Sequence, residues 1–419
     1  MNARSYIYNV ISMFGKAVWA LSACAVMCAC ATDTIVKEED DDTPESFDPM
    51  NFTCQIQDDV PTTATRATAL TTGFMVSTYK SYALTDKQQT VMDRYTVEYK
   101  TSGTAWDGNV RPYWDYTQVS GQIQRYWDFS NFPYRFHAVA PCPADKSAVK
   151  LTDKEVRLDK GYSYQTVTDG VVSPSNADAE PYMLAQVHRA ADGVDTDILA
   201  QDDQHRNINT SSTSLNREVK MPFHHLNSKV RFAVYCLSPW VTANYLYVKD
   251  LTVNVTSSDF VTSASGFEAT CTESSSWRPD VSPFGFTGLT KAASSSTLLS
   301  YSGMSNGTPL QDNDLRENQT QKTANFLRCK DGIMQIPQDG VKMTVSLKLL
   351  KANHNDYKIL ADIPIKLDDN TDVFNWKPGY IYTYYLVIGG IPDKLEIEFT
   401  CTLTPWEDIT GSLSTDLEQ

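Results

Sequence analysis

Gly303-Met304-Ser305-Asn306-Gly307 matches, as a string, the Gly-x-Ser-x-Gly elbow that presents a nucleophilic serine. The elbow needs an apolar strand before the serine and a helix after it. Here Ser294-Ser295-Ser296 and a short Leu298-Leu299 precede it, and Thr308-Pro309 follows. His354 and several Asp lie downstream, so the order suits a triad. The setting is that of a loop, and we expect no catalytic residue and no enzyme. His224 and His225 are neighbours, so on a strand they point to opposite faces and cannot chelate one metal together. His225 reads as an imidazole that hydrogen-bonds backbone. Asp40-Asp41-Asp42 lacks the Gly and terminal Glu of a calcium loop. With no Gly-rich phosphate cradle and no basic patch, we expect no metal and no cofactor.

Cysteine is the remaining reactive type. Cys54, Cys142, Cys236, Cys271, Cys329 and Cys401 show no CxxC spacing, which argues against zinc or redox chemistry. Cys54 and Cys401 fall on apolar faces of strand patterns, where a thiol acts as a small hydrophobe. Buried free thiols are the expectation. Three more cysteines sit near the start. Arg4 and Lys16 frame a positive region, and Ala17 to Cys30 is apolar but short for a bilayer span. Leu21-Ser22-Ala23-Cys24 matches a lipobox, which makes Cys24 the acylated residue; Cys30, after Ala29, leaves a longer apolar run but a poorer box. We expect a lipoprotein signal over residues 1–30 and an acidic tether over 31–49, where Lys37-Glu38-Glu39-Asp40-Asp41-Asp42 is a solvated charge block.

These residues need a scaffold, and the scaffold reads as strands. The chain of 419 residues carries a net charge of −15, which argues against nucleic acid as a partner. Met50, Phe52, Cys54 and Ile56 alternate with polar residues, the pattern of a half-buried strand. Similar patterns cover Gly73–Tyr79, Tyr95–Tyr99, Tyr134–Ala140, Val230–Val234, Leu251–Val255, Met343–Leu349, Tyr380–Ile388 and Leu395–Leu403. Lys358–Lys366 is a strand with Pro364 and belongs near an edge. A short helix is predicted over Asp86–Arg94, and Ala190–Ser214 reads as a loop. The class is all-β: two tandem β-sandwich domains, with short helices only in loops. We place the first domain at 50–216, with its first strand at 50–57, and the second at 217–419. Trp106, Trp114, Trp127 and the row Tyr380, Tyr382, Tyr384 could stack on sugars, but a spacing of two more often marks an inner face.

Phe223-His224-His225-Leu226-Asn227-Ser228-Lys229-Val230 followed by Arg231-Phe232 resembles the central motif of the fimbrillin-like (Mfa-like) family, the type V pilin subunits of Bacteroides-type bacteria. The motif residues are Phe223, His225, Leu226, Lys229 and Val230. Other runs agree in order: Phe136-His137-Ala138 up to Pro141, a partial match at Pro181-Tyr182-Met183-Leu184-Ala185, Gly379 to Tyr382, and the closing Pro405-Trp406-Glu407. The resemblance covers roughly Met50 to Gly411 and implies a fimbrillin/transthyretin-like fold. It also implies a fimbrial subunit or fimbria-associated lipoprotein of the outer-membrane surface, active in adhesion. Arg66-Ala67, in a loop of small residues, resembles the maturation site of an Arg-specific protease. A cut there would free the first strand, whose Phe52, Cys54 and Ile56 would act as a plug. The emptied slot would take another chain's strand, by donor-strand complementation. The donor would come from Lys394–Leu403, unless this subunit only accepts. The partners implied are other fimbrial subunits, the membrane through the lipid anchor, and a host or bacterial surface ligand. The alternative is a surface-exposed glycan-binding lipoprotein of the same membrane.

Overall fold

The computed structural model describes residues 48–56, 70–81, 88–175, 182–190, 193–200, 207–209, 218–236, 244, 247–272, 280–303, 308–309, 331–367, 372–391 and 394–405. Strands come first: β1 (Phe52–Ile56), β2 (Phe74–Ser81), β3 (Gln88–Lys100), β4 (Tyr113–Asp115) and β5 (Tyr134–Ala140). One turn of 3-10 helix at Lys146–Ala148 precedes β6 (Val149–Leu151), β7 (Glu155–Leu158), β8 (Tyr162–Ser163), β9 (Thr166–Thr168) and β10 (Val171–Ser173). Next are β11 (Met183–Arg189), β12 (Asp195–Asp197), β13 (Asn207–Asn209), β14 (Val219–His225) and β15 (Ser228–Cys236). The chain continues through β16 (Tyr247–Val255), β17 (Val261–Ala264), β18 (Gly266–Thr272), β19 (Asp280–Thr287), β20 (Thr290–Lys291), β21 (Ser296–Tyr301) and β22 (Thr308–Pro309). It closes with β23 (Ile333–Gln335), β24 (Gln338–Val341), β25 (Met343–Leu350), β26 (Tyr357–Pro364), β27 (Phe374–Trp376), β28 (Tyr380–Ile391) and β29 (Lys394–Pro405). The all-β class holds, with sheets stacked in sandwich fashion.

Among the described residues, three large apolar cores hold these strands. The first sheet has the order β1-β14-β11-β5-β2-β3-β4, with β12 paired to β11 and β13 to β12. It curls until β1 meets the chain that follows β4, where the rings of Phe52 and Tyr116 lie 6.1 Å apart. Its inner face carries Phe52, Phe74, Trp114, Phe136, Met183 and Phe223, all in one cluster. Its outer face presents Met75, Val139 and Leu184 to Leu158, Phe267 and Ala269, which forms the second core. With both faces covered, all seven residues of β5 are buried, Arg135 and His137 among them. The third core lies between the sheet β10-β9-β21-β16-β25-β26 and the sheet β23-β15-β28-β29. Met343, Val345, Leu347 and Leu349 of β25 point inward there while the residues between them are half-exposed, as strict alternation requires. β26 sits at the end of its sheet, the edge place that Pro364 suits.

Two expectations are corrected. Gln88–Arg94 is not helical: it opens β3, paired to β2 from Gln88 to Val97. Register shifts on either side of Thr78 and a left-handed Arg94 (φ 49°) break the period of two, which hid the strand. Within Ala190–Ser214, Asp195–Asp197 and Asn207–Asn209 pair as strands, held to the sheet through β11. Asn216 itself lies outside the described residues. The chain crosses from the first sheet to the third core's sheet at Leu226-Asn227, between β14 and β15. Earlier strands also reach forward: β7 pairs with β18, and β9 with β21.

Candidate functional site

The slot that holds β1 has two walls, each built from backbone. On one side β1 runs parallel to β14, from Phe52 opposite Val219 to Ile56 opposite Phe223. On the other, the residues just before β1 pair with the segment 125–127. The Met50 N–H donates to the Arg125 carbonyl (2.8 Å), and the Trp127 N–H donates to the Asp48 carbonyl (3.0 Å). The Tyr116 hydroxyl donates to the Met50 carbonyl at 2.9 Å. Burial raises the Tyr116 pKa, so the phenol stays protonated and remains a donor. β1 is thus the stave that closes the curled sheet.

Side chains fill the slot from within. Met50, Phe52 and Ile56 are buried, and Cys54 is partly covered. The ring of Phe52 meets Phe74 (5.8 Å), Tyr116 (6.1 Å) and Phe136 (6.1 Å) edge-on. Burying three such side chains contributes roughly 5–9 kcal/mol. Backbone groups on β14 would also lose their partners if β1 left, so an empty slot is costly unless a strand refills it.

The surroundings carry buried charge. Arg189, at the end of β11, donates from Nε to Asp195 Oδ1 (2.6 Å) and from Nη2 to Asp195 Oδ2 (2.8 Å). His224 Nε2 lies 2.7 Å from Asp197 Oδ2, and the Leu199 N–H donates to Asp197 Oδ1 at 3.0 Å. Glu218, just before β14, accepts from Trp106 Nε1 (2.9 Å) and Arg111 Nη2 (3.2 Å). Burial raises the Cys54 pKa well above the ordinary thiol value, and the Glu218 charge adds to this. Burial also pushes Cys401 up to about 12. Its native thiolate fraction at pH 8 should therefore fall on the order of 10³-fold below that of an ordinary thiol. Mass-spectrometric alkylation should find Cys54 and Cys401 protected until denaturant is added. Equal native and denatured rates would refute this.

The predicted residues divide as follows. Phe52, Cys54, Ile56 and Phe223 come together in or against the first core. Leu226 lies in the second core and Val230 in the third, so one short motif places an anchor in each of the three. His225 is buried at the end of β14, opposite Met183. Lys229 is half-buried on β15, beside Met334 and Ile381. Cys24, Cys30, Arg66, Ala67 and Ser305 lie outside the described residues. Trp114, Trp127, Tyr382 and Tyr384 are core residues, whereas Trp106 is exposed. Among the described residues, no group of three or more His, Cys, Asp or Glu could hold a metal. No helix among them is long and apolar enough to cross a membrane.

Sequence reasoning missed Arg189, Asp195, Asp197 and Tyr116. One signal was present: the alternation Met183, Ala185, Val187, Arg189 puts the arginine on an apolar face, where a charge needs a buried partner.

No family model matches the sequence, and no curated protein matches it. Solved structures do align with it. A fimbrial protein from Bacteroides vulgatus covers 86% of this chain and 99% of its own, at 13% identity and a TM-score of 0.48. A candidate cell adhesion protein from Bacteroides ovatus covers 87% and 99%, at 11% identity and a TM-score of 0.43. A candidate cell adhesion protein from Bacteroides eggerthii covers 87% and 99%, at 12% identity and a TM-score of 0.38.

Proposed function

We propose that this chain is a fimbrial subunit or fimbria-associated surface lipoprotein of the outer membrane, which assembles by donor-strand complementation and serves adhesion, with no catalytic role. The observation that carries the reading is β1. This short strand closes the first core, pairs at the sheet end with β14, and is joined to β2 by residues 57–73, which include Arg66. Cutting at Arg66-Ala67 would leave it held by non-covalent contacts alone. The motif order that resembles fimbrillin-like proteins points the same way.

In this reading the subunit accepts a strand and does not give one. β29 is also an end strand, but it pairs with β28 along its whole length, from Lys394 opposite Ile391 to Pro405 opposite Tyr380. Freeing it would break that long ladder, whereas β1 gives up only a short one. An acceptor of this kind belongs at the end of a fibre.

N-terminal sequencing after treatment with an Arg-specific protease tests the reading. The expected result is a chain that starts at Ala67 and stays bound to neighbouring subunits in mild denaturant. A mature protein that keeps its acylated cysteine and β1 under that treatment would overturn strand exchange in this subunit and favour an uncut anchor or the glycan-binding alternative.

A further inference from the structure

A slot that strands can enter must keep its width while empty, and one side chain is placed to ensure this. Arg189 is fully buried on the inner face of the first sheet. Asp195, directly across on β12, takes two of its hydrogen bonds. A third goes from Nη2 to the Glu218 carbonyl (3.1 Å), where the β14 wall begins. The guanidinium carbon also lies 4.6 Å from the centre of the Trp127 ring, in the opposite wall. Each wall therefore touches both Arg189 and the strand. The residue after Glu218, Val219, donates its N–H to the Asn51 carbonyl (2.8 Å), and the Trp127 N–H donates to the Asp48 carbonyl (3.0 Å).

Only a planar, multi-donor cation can do all of this at once. The guanidinium forks onto a carboxylate, reaches a carbonyl in its plane and stacks on an indole, whereas an ammonium is a point charge. A buried ion pair is poor value for stability alone, because desolvation offsets the attraction. We propose that, given β1 as an exchangeable strand, Arg189 is a positioning residue. It ties the β14 wall to the 125–127 wall at strand spacing, so that an incoming strand meets a preformed site. If the tie is lost, the empty slot spends less time open, and strand binding slows in proportion to the open fraction.

The test uses the full chain with a specific protease site introduced between residues 60 and 66. The protein is cut with β1 still in place, then mixed with excess labelled peptide of residues 48–57. In the parent protein, the peptide replaces the cut segment. Arg189→Lys keeps a cation beside Asp195 but loses the fork and the stacking. It should slow peptide association about 10-fold and leave dissociation within about 2-fold. Trp127→Phe, which weakens the same tie from the other wall, should slow association in the same direction and decides the matter if Arg189→Lys does not fold. Val187→Ala loosens packing on the same strand and face but leaves the tie intact, so association should stay within about 2-fold of the parent. Association at the parent rate in both tie variants, or equal slowing by Val187→Ala, would overturn the cross-tie. A parent that does not exchange peptide at all would defeat the strand-exchange reading and the cross-tie with it. The parent sample alone tells these two failures apart.

Discussion

Phe52→Ala should destabilise β1 in its slot by about 3–5 kcal/mol, the usual cost of emptying a buried phenylalanine site. The side chain is 3% exposed and lies among Phe74, Tyr116 and Phe136, each met edge-on. Such aromatic pairs add roughly 0.5–1.5 kcal/mol beyond area burial. No neighbouring element can collapse into the space, because both walls are fixed by backbone pairing. The loss falls on a short end strand, so it should show as local opening before global unfolding. Cys54, two residues along, reports that opening. Its alkylation in native buffer should accelerate on the order of 10²–10³-fold, since each 1.4 kcal/mol is tenfold in an equilibrium. Unchanged Cys54 labelling, together with a stability loss below about 1 kcal/mol, would show that β1 does not depend on its aromatic anchor.

Acid should destabilise the protein through His137. This residue is fully buried on β5, and the Gln186 amide donates to its Nδ1 at 3.0 Å, which suits a neutral ring. Burial above all, with the Arg135 charge beside it, lowers its pKa to about 3 against the opposing pull of the Asp153 backbone. The sign follows from which state binds the proton. Below the unfolded value of about 6.5, the unfolded chain takes up a proton that the folded one refuses, so stability falls as pH falls. The loss continues to about pH 3, where the folded histidine also titrates. Its slope is at most about 1.4 kcal/mol per pH unit, and its full extent is on the order of 4–5 kcal/mol. Other groups titrate over this range, so the comparison with His137→Gln isolates the effect. The variant should be less stable near neutral pH but show a shallower decline between pH 6.5 and 3 in denaturant titrations. Parallel declines in the two proteins would exclude His137 as the cause.

Several elements were legible because their surroundings are simple. β25 alternates cleanly, with its inner face against one core. The turn before β28 was marked by Pro378-Gly379, and Gly379 does take the left-handed conformation (φ 78°) that favours glycine. β1 was legible as a strand but not as a closing stave. Its partners, β14 and residues 125–127, are remote in sequence, and a period of two carries no information on pairing. β3 was misread because bulges shift its alternation partway along. The charged contacts were hidden for a related reason: nothing local links Arg189 to Trp127, or His224 to Asp197. The motif at 223–230 stood out by resemblance and by the alternation that begins at Val230. The structure adds that Phe223, Leu226 and Val230 each enter a different core.

That arrangement bears on mechanics. Because Phe223, Leu226 and Val230 lie within one short stretch, the three apolar interiors share a single through-going rivet. Tension applied at the β1 end therefore cannot peel the first sheet away without also drawing on the packing around Leu226 and Val230. A molecule built this way should resist pulling as one body.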